Sequence, residues 1–97
     1  PRVGRLGEPA DMGILGVVMQ KYMVIERFKA GCWDAAHERF QRQGRLLPNG
    51  LYYLNSWPNK DLLICYQLME TQSPVLFDLW FERWNDFVEF DVVPIDA

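Results

Sequence analysis

A chain of 97 residues and 11.4 kDa has room for one small domain that buries about 65% of the surface its unfolded form exposes. That allows one thin core of two packed layers and excludes a complete dinucleotide-binding domain, a TIM barrel or a multidomain enzyme. Hydrophobic residues at 49% and aromatics at 14% exclude a disordered chain, and a net charge of −3 argues against nonspecific nucleic-acid binding.

Residues 1–18 hold four of the seven glycines and no aromatic residue. They read as a leader or N-terminal arm ahead of a domain over residues 19–97. Gly13 to Val18 has two readings, as part of that leader or as strand added to a sheet edge or a partner subunit. The longest uncharged apolar run, Met12 to Gln20, is nine residues, too short to span a membrane. No small-x-small cleavage site follows it, so it makes a poor signal peptide.

Tyr22 to Phe28 is rich in β-formers and ends at the turn signal Lys29-Ala30-Gly31. Trp33, Ala36, His37 and Phe40 then recur at helical spacing, with Asp34, Glu38, Arg39 and Arg42 on the other side. Gly44 closes that helix and Pro48-Asn49-Gly50 forms a loop. Leu51 to Trp57 reads as a strand, Pro58 to Asp61 as a hairpin turn, and Leu62 to Met69 as a second strand. Ser73-Pro74 has the form of an N-cap followed by proline at the first helical position. Leu76, Phe77, Trp80, Phe81 and Trp84 line one face of the helix that follows, and Val88 to Ile95 gives a last strand. The order β-α-β-β-α-β defines an α+β, ferredoxin-like sandwich.

An internal repeat points the same way. At a shift of 44 residues, Tyr22, Glu26, Asp34, Glu38 and Arg39 meet Tyr66, Glu70, Asp78, Glu82 and Arg83. A β-α half followed by its pseudo-twofold copy produces such a pattern.

With both helices on one side of the sheet, the strands should alternate apolar and polar residues. They mostly do not. One face of the third strand carries Leu62, Ile64, Tyr66 and Leu68, and the other Leu63, Cys65, Gln67 and Met69. The first strand has Tyr22, Val24 and Phe28 on one face and Met23 and Ile25 on the other. Two apolar faces call for a partner sheet or a ligand, and face-to-face pairing into a dimeric α/β barrel is the simplest answer. Glu89 and Asp91 mark where the last strand's outer face reaches solvent.

Tyr22–Gly31, Gln43–Trp57, Gln67–Thr71 and Phe77–Pro94 resemble small bacterial proteins grouped as a domain of unknown function. The matching marks are Gly44, Pro48, Gly50, Trp57, Glu70, Trp80, Trp84 and Pro94, and the likeness covers about residues 20–95. That family is similar in fold to the dimeric α/β-barrel superfamily, which includes cofactor-free monooxygenases, isomerases, haem-handling proteins and stress-induced proteins. The resemblance therefore implies a fold and a homodimer rather than one reaction.

Several side chains are candidates for chemistry. His37, the only histidine, is either a general base in a dry cavity or a packing histidine with one hydrogen bond. Its repeat counterpart, Phe81, favours packing. Glu70 aligns with Glu26, and two carboxylates on neighbouring strands can share a proton or a ligand, or can simply pair with arginines and helix ends. Tyr53, Asn55 and Trp57 alternate along one strand beside Tyr52, with Gln67 nearby, a mixture that suits a small planar organic ligand and equally a dimer interface. Arg39, Arg42 and Arg45 step by three and read as a solvated helix side, not a nucleic-acid site. Cys32 and Cys65 belong to no CxxC or Cys/His cluster and read as reduced thiols of a cytoplasmic protein. No phosphate loop, Ser/His/Asp order or metal-ligand spacing is present, so neither metal nor cofactor is expected.

The expectation is a small homodimer that binds a small organic molecule between sheet and helices. The alternative is a cofactor-independent monooxygenase- or isomerase-like enzyme that uses His37 or Glu70 for proton transfer, and a third class is a purely structural interaction module.

Overall fold

The computed structural model describes residues 18–96, so the leader or arm expected over residues 1–18, and the added strand weighed for Gly13 to Val18, lie outside the described residues except for Val18, which is exposed and in no strand. Among those described, the elements are β1 (Gln20–Phe28), α1 (Trp33–Gln43), β2 (Tyr52–Asn59), β3 (Ile64–Thr71), α2 (Leu76–Glu82) and β4 (Val88–Ile95). The strands form one sheet in the order β2-β3-β1-β4, with every neighbouring pair antiparallel. This is the ferredoxin-like α+β arrangement expected from the order of elements.

Both helices pack on one face of the sheet. Tyr22 and Val24 of β1 and Met69 of β3 meet Ala36 of α1 and Phe77 and Trp80 of α2 in a single buried cluster. Tyr22 stands edge-on to Phe77, ring centroids 5.1 Å apart, a favourable geometry for two aromatic quadrupoles. The strand period of two decides membership. In β1 the even positions Tyr22, Val24 and Glu26 are buried, and in β3 the odd positions Cys65, Gln67, Met69 and Thr71.

Helix α1 runs as the sequence predicts and stops at Gly44, whose φ of 71° lies in the left-handed region and whose N–H donates to the Phe40 carbonyl at 2.7 Å. Helix α2 differs from the expectation. Ser73 makes no side-chain cap. The carbonyls of Ser73 and Pro74 instead accept from Leu76 and Phe77 in a tight turn, each at 3.0 Å. Thr71, at the end of β3, takes the Ser73 N–H on its hydroxyl at 3.0 Å and donates to the Gly50 carbonyl at 2.7 Å. Trp84 falls beyond the helix in the turn before β4, yet is buried.

The hairpin turn lies two residues later than expected. Strand β2 runs through Pro58 and Asn59, and the reversal occurs at Lys60–Leu63. Proline is tolerated there because β2 is an edge strand. Within β2 the register against β3 breaks between Tyr53 and Asn55, a bulge at Leu54 that governs which side chains reach the covered face.

Candidate functional site

Between the covered face of the sheet and the helices lies a cavity of about 190 Å³. Glu26, Gln67, Arg45 and His37 supply its chief polar groups, and Phe28, Phe40, Trp80 and Trp84 its aromatic ones.

Glu26 arrives there by strand phase. It continues the series Tyr22, Val24 into the buried register of β1, is 7% exposed, and faces Cys65 across the ladder to β3. The side chains of Gln67 and Cys65 adjoin its carboxyl. Gln67 is itself buried and takes the Arg45 Nε–H on its Oε1 at 3.1 Å. Burial pushes the Glu26 carboxyl up to about 7, against the partial restraint of the nearby Gln67 amide and the Arg45 charge. Burial and the adjoining carboxyl together push the Cys65 thiol up to about 12, so it remains protonated.

Arg45 is held from behind. The indole N–H groups of Trp80 and Trp84 both donate to its backbone carbonyl at 2.8 Å. Its guanidinium lies 3.4 Å from the centroid of the Tyr53 ring and 5.0 Å from that of Phe40, so the charge rests on aromatic faces. The expectation of a solvated Arg39–Arg42–Arg45 row is therefore corrected. Gly44 ends the helix, and Arg45 no longer follows its spiral. Arg39 also leaves the row, binding Asp86 through two nitrogens at 2.9 and 2.6 Å and lying 4.3 Å from the Phe87 ring centroid. That contact lowers the Asp86 pKa and raises that of Arg39. Arg42 alone of the three is exposed.

His37 lines the cavity and stacks on Trp33, centroids 4.5 Å apart. Its Nδ1 lies 2.9 Å from the Trp33 carbonyl. A carbonyl only accepts, so Nδ1 carries the proton and Nε2 of the neutral ring is an acceptor.

Glu70 stands elsewhere. It lies on the open face, half-buried, with Lys21 Nζ at 3.4 Å from its carboxylate. The anticipated sharing of a proton or ligand between Glu26 and Glu70 is geometrically excluded, because an even shift carries a covered residue of β1 to an open position of β3. The shift of 44 fits the helices, where Ala36 matches Trp80 and both are buried. It misses the strands by one residue.

The β2 candidates divide as well. Tyr53 turns to the covered face, where its hydroxyl meets that of Ser56 at 2.9 Å, while Asn55 and Trp57 turn to the open face opposite Leu68 and Tyr66. Alternation alone would keep residues 53, 55 and 57 together; the bulge at Leu54 adds the residue that separates them. Sequence reasoning missed Arg45 as a cavity residue and ranked Glu26 behind Glu70. The signal for Glu26 was available, since it is a carboxylate in phase with Tyr22, Val24 and Phe28.

On the open face, cross-strand neighbours join Trp57, Tyr66 and Ile25 into one row and Leu68, Met23 and Val93 into the next. Trp57, Tyr66 and Val93 are 48%, 39% and 45% exposed. Towards the β4 end of this face, Arg27 pairs with Asp91.

Among the described residues, no three of His, Cys, Asp and Glu converge on a point that would hold a metal ion, and no helix is long and apolar enough to cross a membrane. Both cysteines are free.

Fold and cavity together define a small α+β domain of ferredoxin-like topology with an acid-bearing pocket beneath its helices. Residues 20–96 match the family described as Domain of unknown function (DUF3303), and the chain belongs to that family. No curated protein and no solved structure matches it.

Proposed function

We propose that the protein is a homodimer of the dimeric α/β-barrel kind that holds a small organic molecule in the cavity between its sheet and helices. The observation that carries the ligand reading is the buried Glu26 carboxyl on the wall of a roughly ring-sized space. An acid in that position opposes folding wherever it is ionised, and a bound ligand offsets the cost. The dimer reading is supported by the open face, whose rows of Trp57, Tyr66, Ile25 and Leu68 are the kind of apolar patch that a second copy covers. Free thiols at Cys32 and Cys65 suit a reducing, cytoplasmic setting.

A second reading, an enzyme that moves a proton without a cofactor, is favoured by one detail. The Trp33 carbonyl fixes the tautomer of His37 and leaves Nε2 as a base at the cavity wall. In that reading His37 and Glu26 are the proton acceptors, and Glu70 belongs to the open face with Lys21.

Light scattering at micromolar concentration tests the dimer, for which a monomer mass is the overturning result. Thermal shifts against a panel of small aromatic and lactone compounds test the pocket, with stabilisation expected from at least one ring-sized member. Depletion of a shifting compound over time would separate the enzyme from the binder.

A further inference from the structure

The lysines and arginines among the described residues divide by their partners. Lys21, Arg27, Arg39 and Lys60 each meet a carboxylate. Of the others, Lys29, Arg42 and Arg83 are exposed, and only Arg45 is half-buried, on the wall of the cavity. Its Nε–H goes to Gln67, and its terminal nitrogens have no hydrogen-bond or ion-pair partner among the described residues, which leaves the rest of the guanidinium fork as spare donors. The fork is also held in place. Trp80 and Trp84 fix the Arg45 carbonyl, Gln67 fixes Nε, and the Tyr53 ring covers one face of the guanidinium, so little ordering is left for a ligand to impose.

We propose that the cavity takes a small planar ring bearing a carboxylate, which pairs with the guanidinium fork of Arg45. The inference rests on the ligand-binding reading above and narrows it to anionic rings. Glu26 shares the cavity but forms no ion pair with Arg45, and burial keeps its carboxyl mostly protonated below about 7. The cavity therefore holds a permanent cation and no permanent anion. A ligand carboxylate matches the fork with parallel N–H···O bonds, whereas a neutral acceptor lacks the charge and a cation is repelled. A space of about 150 Å³ is enough for one benzene ring, and this one is about 190 Å³ with aromatic walls. Phe40 is 39% exposed and Trp80 1%. The Arg45 guanidinium, 5.0 Å from the Phe40 ring centroid, thus stands towards the mouth, so the ring goes inward and the carboxylate stays at the rim.

A second carboxylate in the cavity raises the cost of ionising Glu26, so the ligand holds that acid protonated and binding is coupled to proton uptake from solvent. Affinity is highest where Glu26 is protonated, below about 7, and falls as pH rises through that value. The groups packed around Glu26 bear on this coupling. Cys65 from β3 is protonated throughout, Arg45 before β2 is charged throughout, and His37 from α1 is titratable. Gln67 from β3 and Ser56 from β2 do not titrate, and Tyr53 from β2 lies against Arg45 with its hydroxyl bonded to Ser56. On the β4 side the register partner is Phe90, and α2 and the turn after it contribute Trp80 and Trp84, none of them titratable.

Benzoate and benzamide are near-isosteric and differ in charge, so they are the probes. Titration of each into the full chain at pH 6, followed by amide NMR, should give benzoate a Kd about tenfold lower. Arg45→Gln should abolish that preference. From pH 6 to pH 8 benzoate affinity should fall up to about tenfold, both in the native protein and in His37→Gln, and should stay level in Glu26→Gln. Benzamide affinity should be level in all three. The comparison of the two probes on the native chain needs no variant, so it decides even if a substituted chain fails to fold. Benzamide binding as tightly as benzoate, or a preference that survives in folded Arg45→Gln, overturns the carboxylate inference while leaving the cavity a ligand site. A benzoate affinity that does not fall with pH overturns the coupling to Glu26. Cavity resonances unmoved by either compound overturn both the inference and the ligand-binding reading.

Discussion

The two faces of the sheet use the same four strands and nearly the same share of apolar residues, yet they place their polarity in opposite ways. The covered face carries polar groups inside: Glu26, Gln67 and Thr71 are buried with Val24 and Met69. The open face carries rings outside, with Tyr52, Trp57 and Tyr66 all substantially exposed. Buried polar groups beside a cavity and exposed rings on a sheet are both departures from ordinary partitioning, and the proposed ligand and partner copy rest on them. The difference teaches that the number of apolar residues does not locate function here. Their phase relative to the helices does.

The largest test of the contrast is Trp80→Ala on the covered side. Trp80 is 1% exposed, and its loss removes both a core ring and a hydrogen bond to Arg45. Urea unfolding should report a loss of about 4 kcal/mol. A loss below about 1 kcal/mol would mean that the helices are not what buries this face.

Next comes the acid. Glu26 titrates near 7 when folded and near 4.5 in its unperturbed form, so the native state binds more protons between those values. Stability from this group is therefore fully present below about 4.5, falls as pH rises towards 7, and is level above it. The full span amounts to roughly 3 kcal/mol. Chemical denaturation at a series of pH values should show the decline, and Glu26→Gln should flatten it.

Thr71→Val is smaller. It strips the Gly50 carbonyl and the Ser73 N–H of a buried partner, and should cost about 2 kcal/mol by the same unfolding measurement. A neutral result would show that these groups find replacements when the hydroxyl is removed.

The smallest intrinsic effect belongs to the open face. Trp57→Ser should change the unfolding free energy of the dilute chain by less than about 1 kcal/mol. In the proposed dimer the same change should abolish the rise of Tm with protein concentration. A dilute chain destabilised as much as by Trp80→Ala would erase the distinction between the faces.

Much of this was legible in local sequence. Helix α1 follows from the spacing of Trp33, Ala36, His37 and Phe40, and its end from Gly44. Strand β4 has the bounds that Val88 and Ile95 suggest. The faces of β1 and β3 follow from alternation alone. The site was only half legible. His37 and Gln67 line the cavity, Tyr53 supports Arg45, and Glu70, Asn55 and Trp57 lie on the other side of the sheet.

The sequence by itself determined the order of elements and the phase within each, because helical and strand periods are local properties of neighbouring residues. Tertiary structure decided what joins across elements: the bulge at Leu54, the inward turn of Arg45 after Gly44, and the separation of Glu26 from Glu70. Each of these depends on a displacement of a single residue. In a strand one residue is the whole distance between the buried face and the open one.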